Sequence, residues 1–345
     1  MGDRADSEYQ RTKLRPYLAD HYNCITVGIN YFGIGNRIET GATCIADNNF
    51  ASWFRKIYSA VLDPCGQNSA VDANGLFKII KKTGISKLDA RCRLTLVIAK
   101  EEYQSFGFLP AIDHLQVLGE ILKQFNINRK RIIALGTPYG GYVALLLGKF
   151  APNTFSVIID SSGFVNANLR YIVGNEILDL EGEGYWDFNG LRVYGVTNSP
   201  WTILDESSPC FFSDSCRDVR SLIHEKHTLE SDTKYYIFHS AEDGVAPIHL
   251  KERFVDILRA KNVRVYFKKV TSEDIDGRVF KNTEHGMNAS MRGVFDLVAG
   301  LDNDNFCKQN SNNDFDLKSI HSYDCGRKSY IFKYENTLNV SVETI

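Results

Sequence analysis

Arg131-Ile132-Ile133-Ala134-Leu135-Gly136-Thr137-Pro138-Tyr139-Gly140-Gly141-Tyr142-Val143-Ala144-Leu145-Leu146-Leu147-Gly148-Lys149-Phe150 is the stretch on which the fold turns. Residues 131–135 form a short apolar run of the kind that makes a buried strand. Gly136 to Gly141 reads as a tight turn, and 142–150 as an apolar helix. Strand, glycine-rich turn and helix in that order are the setting of a nucleophile elbow, G-x-S-x-G. The flanking glycines let such a turn pack closely and let the helix begin beneath it. The helix N-terminus then faces the place where negative charge would develop.

Working outward, such a site needs an acid after a later strand and a histidine near the end of the domain. Asp243 follows the apolar run Tyr235-Tyr236-Ile237-Phe238, in His239-Ser240-Ala241-Glu242-Asp243. His285 stands in Glu284-His285-Gly286-Met287, after Val263-Arg264-Val265-Tyr266-Phe267. An isolated Asp in a loop is ordinarily a turn or cap residue, and an isolated His ordinarily structural. The joint chain order of elbow, Asp243 and His285 is what singles them out.

The rest of the chain alternates short apolar runs with amphipathic segments. That pattern predicts an α/β fold of the α/β-hydrolase kind, a mostly parallel sheet with helices on both faces. Helices are expected at 5–20, 46–62, 76–83, 110–125, 248–261 and 288–300. Further strands are expected at 24–31, 94–98 and 155–159. Residues 164–232, less regular and rich in Tyr, Trp, Asn and Gly, read as a lid-like insertion. Residues 1–301 then form the main domain, 302–316 a polar linker, and 317–345 a small C-terminal β hairpin built on 330–334 and 338–342.

Composition narrows the function classes. Apolar residues make up 43% and charged residues 24%, with a net charge of −2, so neither nucleic acid nor an anionic membrane is expected as a partner. No apolar run reaches the roughly 18 residues that span a bilayer. The eight cysteines have no CxxC spacing, and Met1 to Asp20 lacks an apolar signal core, so reduced thiols in a cytoplasmic protein are expected. No cofactor or metal is expected. Glu273, Asp274 and Asp276 near Gly277 lack a calcium-loop ligand series and read as an acidic turn. His224 and His227 read as surface residues. Trp186, Trp201 and Tyr185 suit either packing within the insertion or stacking on a ligand.

Several separated motifs carry a resemblance. Phe106-Gly107 through Asp113, Asn128-Arg129-Lys130-Arg131-Ile132, Gly136-x-x-Tyr139-Gly140-Gly141-Tyr142, His239-x-x-x-Asp243 and Glu284-His285-Gly286 resemble the catalytic domain of prolyl oligopeptidase and dipeptidyl peptidase. Tyr31-Phe32-Gly33-Ile34-Gly35-Asn36-Arg37-Ile38-Glu39-Thr40-Gly41-Ala42, Glu102 to Gly107, Ser208 to Ser213 and Asp276 through Met287 are similar to an uncharacterised bacterial family of the α/β-hydrolase clan, met in flagellin-glycosylation gene neighbourhoods. The resemblance covers about residues 1–300 and implies ester, acyl or peptide hydrolysis through an acyl-enzyme. It also implies that Tyr139 supplies an oxyanion amide. Tyr31 is a further pocket candidate, and Arg37 and Glu39, which follow a strand's C-terminal end where α/β folds bind ligands, suit either a pocket lining or a loop-stabilising pair.

Pro138 departs from that pattern. It occupies the serine position and has no nucleophilic atom, so His285 and Asp243 have no hydroxyl to activate. An elbow nucleophile is expected at positive φ, whereas proline is locked near −65°. The turn is therefore expected to relax and to re-aim the Tyr139 N–H. The Thr137 hydroxyl is expected to point away from His285. Relative to the similar family, the chain also begins about where a first strand and its oxyanion loop would end. The expectation is an impaired or inactive relative of serine hydrolases that keeps a pocket for a small acyl or glycan-like ligand. The alternatives are an active hydrolase without the usual nucleophile, and an interaction or scaffold protein.

Overall fold

The computed structural model describes residues 4–35, 40–46, 90–98, 102–176, 186–188, 191–197 and 199–345. The helices expected at 46–62 and 76–83, and Arg37, Glu39 and Tyr185, lie outside them. The chain divides into two compact units. The first holds Met1–Tyr31, Ser105–Ala167 and Ser213–Ile345; the second holds Phe32–Gln104 and Asn168–Phe212. Only part of the expected insertion thus belongs to a separate unit, because residues 213–232 return to the first.

In the first unit a π-helical turn, Gln10–Leu14, leads into α1 (Arg15–Tyr22). The expected strand at 24–31 does not form. That segment has no regular secondary structure and pairs with no strand among the described residues, and Ile25 and Val27 are 58% and 50% exposed. α2 (Phe108–Gln124), β1 (Ile133–Gly136), α3 (Tyr139–Phe150) and β2 (Val157–Ser161) follow. Then come α4 (Asp214–Arg220), β3 (Lys234–Ser240), α5 (Ile248–Ala260), β4 (Val265–Val270) and α6 (Met291–Leu301). The four strands form one parallel sheet in the order β1-β2-β3-β4.

Every residue of β2 and β3 is buried, as a parallel sheet covered on both faces requires. Side chains alternate between those faces. Val157, Ile159, Tyr236 and Phe238 share a core with Leu14 of the π-helical turn, with Leu18 of α1 and with Met291, Val294, Phe295 and Val298 of α6. Ile158 and Tyr235 point the other way, onto α3. There Gly148 lets the helix approach so closely that a Cβ would collide with Ile158 and with the Tyr235 hydroxyl.

The linker expected at 302–316 is instead packed structure. Asp302 accepts hydrogen bonds from Lys234 Nζ, from the Tyr236 hydroxyl at 2.8 Å and from Phe306 N at 2.5 Å. Phe306, Lys308, Asn313 and Asp314 are buried. A short helix, α7 (Asp314–Leu317), is closed by a capping box from Asn313 and Asp316. The polar residues that suggested a linker serve as anchors, since buried polar groups are retained when they are hydrogen-bonded.

Beyond α7 lie three strands rather than a hairpin: β5 (Ile320–Cys325), β6 (Lys328–Tyr334) and β7 (Leu338–Thr344), antiparallel and ordered β7-β6-β5. Their apolar face closes on α2 and α3, with Phe332 stacked on Phe150 at 4.4 Å and edge-on to Phe108 at 6.1 Å.

The second unit contains a four-stranded mixed sheet. Ala90–Val97 pairs antiparallel with Thr43–Ala46 and parallel with Leu191–Thr197, which pairs antiparallel with Trp186–Phe188. Gly33 has φ +79°, and its Cβ would lie 2.6 Å from Tyr103 O, so the tight turn requires glycine. Trp201 packs edge-on against Tyr103 at 5.7 Å and Phe212 at 5.5 Å.

Candidate active site

The site is built at the C-terminal ends of the parallel strands. Pro138 follows β1 and is the N-cap of α3, with φ −62° and ψ −47°. That is the right-handed helical region, the one the pyrrolidine ring permits. The turn is therefore an ordinary helix entry, with Gly140 N donating to Thr137 O at 3.2 Å and Tyr142 N to Pro138 O at 3.2 Å. Two glycines here are sterically required. A Cβ on Gly136 would collide with the Gly140 backbone, and one on Gly141 with the Asp160 carboxylate. Gly140, the last glycine of the motif, faces open space.

Asp243 sits in the loop between β3 and α5. Its Oδ1 accepts from Val245 N at 2.9 Å and Ala246 N at 2.8 Å. His285 Nδ1 bonds the same carboxylate at 2.8 Å to Oδ2 and 3.0 Å to Oδ1. Burial alone would push Asp243 up, but the bonds from His285, Ala246 and Val245 overcome it and hold the carboxyl below its usual range. An ionised carboxylate only accepts, so Nδ1 carries the proton and the Nε2 lone pair points away from Asp243. The His285 side chain is 21% exposed.

The two loops are stapled together. Ser240 Oγ donates to Thr283 O at 2.5 Å and Thr283 Oγ1 to Glu242 Oε2 at 2.6 Å. His285 rides on a turn in which Gly286, Met287 and Asn288 all have positive φ. Such a conformation costs about 1–2 kcal/mol at each non-glycine residue. Burial of Met287 in the core and the bonds Met287 N to Glu284 O at 2.8 Å and Lys281 N to Met287 O at 3.0 Å hold it. A Cβ on Gly286 would lie 3.3 Å from Pro138 Cγ, so the histidine turn packs on the proline, and the Phe164 ring lies 5.5 Å from that of His285. Pro138, Asp243 and His285 are thus brought together.

Tyr139 is fully buried, and its hydroxyl accepts from Gly107 N at 2.8 Å. The side chain therefore fixes the turn Phe106-Gly107, whose φ values are +42° and +83°. Tyr31 lies beside it, ring centroids 6.1 Å apart, and burial pushes its phenol up, so it stays protonated.

Behind the site lies a buried polar layer that the sequence pattern does not reveal. Lys251 of α5 donates to Asp160 Oδ2 at 2.6 Å, both side chains essentially inaccessible, and Asp160 Oδ1 accepts from Gly163 N at 2.8 Å. His239 donates through Nε2 to Ala246 O at 2.7 Å, and burial and Lys251 keep it neutral. The acidic residue ending the run 155–159 was the one available signal for Asp160; only the fold brings Lys251 to it.

The remaining candidates resolve locally. Asp276 accepts from Arg278, Val279 and Phe280 amides, and Asp274 caps its own turn. Among the described residues no group of His, Cys, Asp and Glu is arranged to hold a metal, and no helix is long and apolar enough to cross a membrane. His227, expected at the surface, is buried: its ring stacks on His224 at 3.7 Å, and it bonds Asp324 O at 2.8 Å and Lys149 Nζ at 3.2 Å. Strand β5 and helix α3 supply these partners, which no local spacing foretells.

A family model described as protein of unknown function (DUF2920) matches residues 1–342. No curated protein matches the chain. Among solved structures it is similar to a Mycobacterium tuberculosis puromycin-hydrolyzing peptidase, at 16% identity and TM-score 0.38 over 57% of this chain and 26% of that one. It is also similar to Pyrococcus horikoshii acylaminoacyl peptidase, at 18% identity and TM-score 0.36 over 60% and 29%. Thermogutta terrifontis esterase 2 aligns at 13% identity and TM-score 0.33 over 56% and 61%. The chain thus spans about a quarter of the length of the two peptidases.

Proposed function

We propose that this chain, which belongs to the DUF2920 family, is a hydrolase-type protein of serine peptidase and esterase descent that forms no acyl-enzyme. One observation carries the reading: at the turn where a nucleophile would stand, Pro138 takes helical φ and ψ beside an intact His285–Asp243 pair. Proline supplies no hydroxyl, and its ring excludes the strained conformation that would project one. His285 is bound to Asp243 through Nδ1, an orientation that would serve a serine that is not there. A small acyl or glycan-like molecule is the ligand class this reading implies, bound in the cytoplasm of a bacterium.

The test is covalent labelling with a fluorophosphonate. Wild-type protein is expected to stay unlabelled, and Pro138→Ser to gain label that His285→Ala then removes. Labelling of the wild-type chain would sink the reading.

A further inference from the structure

We propose that His285, held by Asp243, acts as a general base directly on water, so that the protein hydrolyses activated acyl esters in a single displacement. This rests on the reading of Pro138 given above. Three observations converge. Nδ1 is committed to the Asp243 carboxylate at 2.8 Å, which leaves Nε2 as the basic atom. The hydrogen bonds of the His285 side chain among the described residues both run through Nδ1, and the side chain as a whole is 21% exposed. The histidine turn packs on Pro138, which carries neither a hydroxyl nor an N–H, so the residue at the nucleophile position has no proton to give.

The step balances without any bond to the chain. Nε2 takes a proton from water as the water oxygen bonds to the acyl carbon. The tetrahedral adduct then breaks its bond to the leaving oxygen, which takes the proton from Nε2. Acid and alcohol leave, and the imidazole is neutral again. Asp243 stabilises the transient imidazolium, as an ionised carboxylate at Nδ1 does. Water activated by one imidazole is a weak nucleophile, so the substrate class is esters with good leaving groups rather than amides.

p-Nitrophenyl acetate tests this. The wild-type protein is expected to show no burst, no acetyl adduct by mass spectrometry after quenching, and a normal solvent deuterium isotope effect. His285→Ala and His285→Gln are each expected to lower the rate about a hundredfold while melting like the wild type. His321→Gln, at the other carboxylate-bound histidine, should leave the rate alone. A His285→Gln rate equal to wild type, with no adduct, would overturn the base alone. A burst with an acetylated residue would overturn the absence of an acyl-enzyme as well.

Discussion

Two histidine–carboxylate pairs in this molecule are alike in distance and differ in the ring nitrogen that is engaged. Asp243 and His285 meet at 2.8 Å, Asp314 and His321 at 2.7 Å, and both carboxylates are inaccessible. His285 binds through Nδ1 at the end of a parallel sheet, and its side chain is 21% exposed. His321 binds through Nε2, is only 12% exposed, and lies against the Tyr334 ring at 5.9 Å. Asp314 also accepts from Asn153 N at 3.0 Å, Asn153 Nδ2 at 2.9 Å and Thr154 Oγ1 at 2.8 Å. It fastens the C-terminal sheet to the loop after α3. The pairing itself therefore says little about catalysis. The nitrogen left free, and whether water reaches it, separates a candidate base from a clasp.

That contrast can be broken by mutation. Asp314→Ala leaves four buried or half-buried donor groups without their acceptor and is expected to destabilise by about 3–5 kcal/mol, read from urea denaturation. A loss no larger than that of an exposed substitution would show that the clasp is not structural. Acid should act next. Burial raises Asp314, but His321, Asn153 and Thr154 outweigh it and hold it below its usual value. A carboxyl depressed in the folded state contributes stability that is complete above the unfolded value of about 3.9 and is lost as pH falls through the folded one. Amides of β5 and β6 should therefore lose exchange protection below about pH 4, and Asp314→Asn should flatten that dependence. The smallest effect belongs to the other pair. His285→Ala touches a partly exposed ring and is expected to change stability by less than about 1 kcal/mol in the same denaturation experiment. A larger loss would make His285 another clasp.

The candidate site was legible where function follows from residue type and order. Gly136, Pro138, Asp243 and His285 stand in the sequence of a hydrolase elbow, acid and histidine, and proline's φ is fixed by its own ring. The parallel strands were legible because burial on both faces leaves apolar runs such as 157–159 and 235–238. The strand expected at 24–31 had the composition of one, but a strand needs a partner, and Ile25 and Val27 remain exposed. Residues 302–316 were polar enough for a linker, yet Asp302, Lys308 and Asp314 are each satisfied by groups far away in the chain.

The sequence by itself determined what the apex of the turn cannot do, because the absence of a hydroxyl and the restriction of φ are covalent properties of one residue. Only the tertiary structure decided which ring nitrogen of each histidine is engaged and how deeply the ring is buried. His227, His239, His285 and His321 all find polar partners, and their roles diverge through burial and through which ring nitrogen is engaged. Those are properties of packing between distant segments, and no local spacing encodes them.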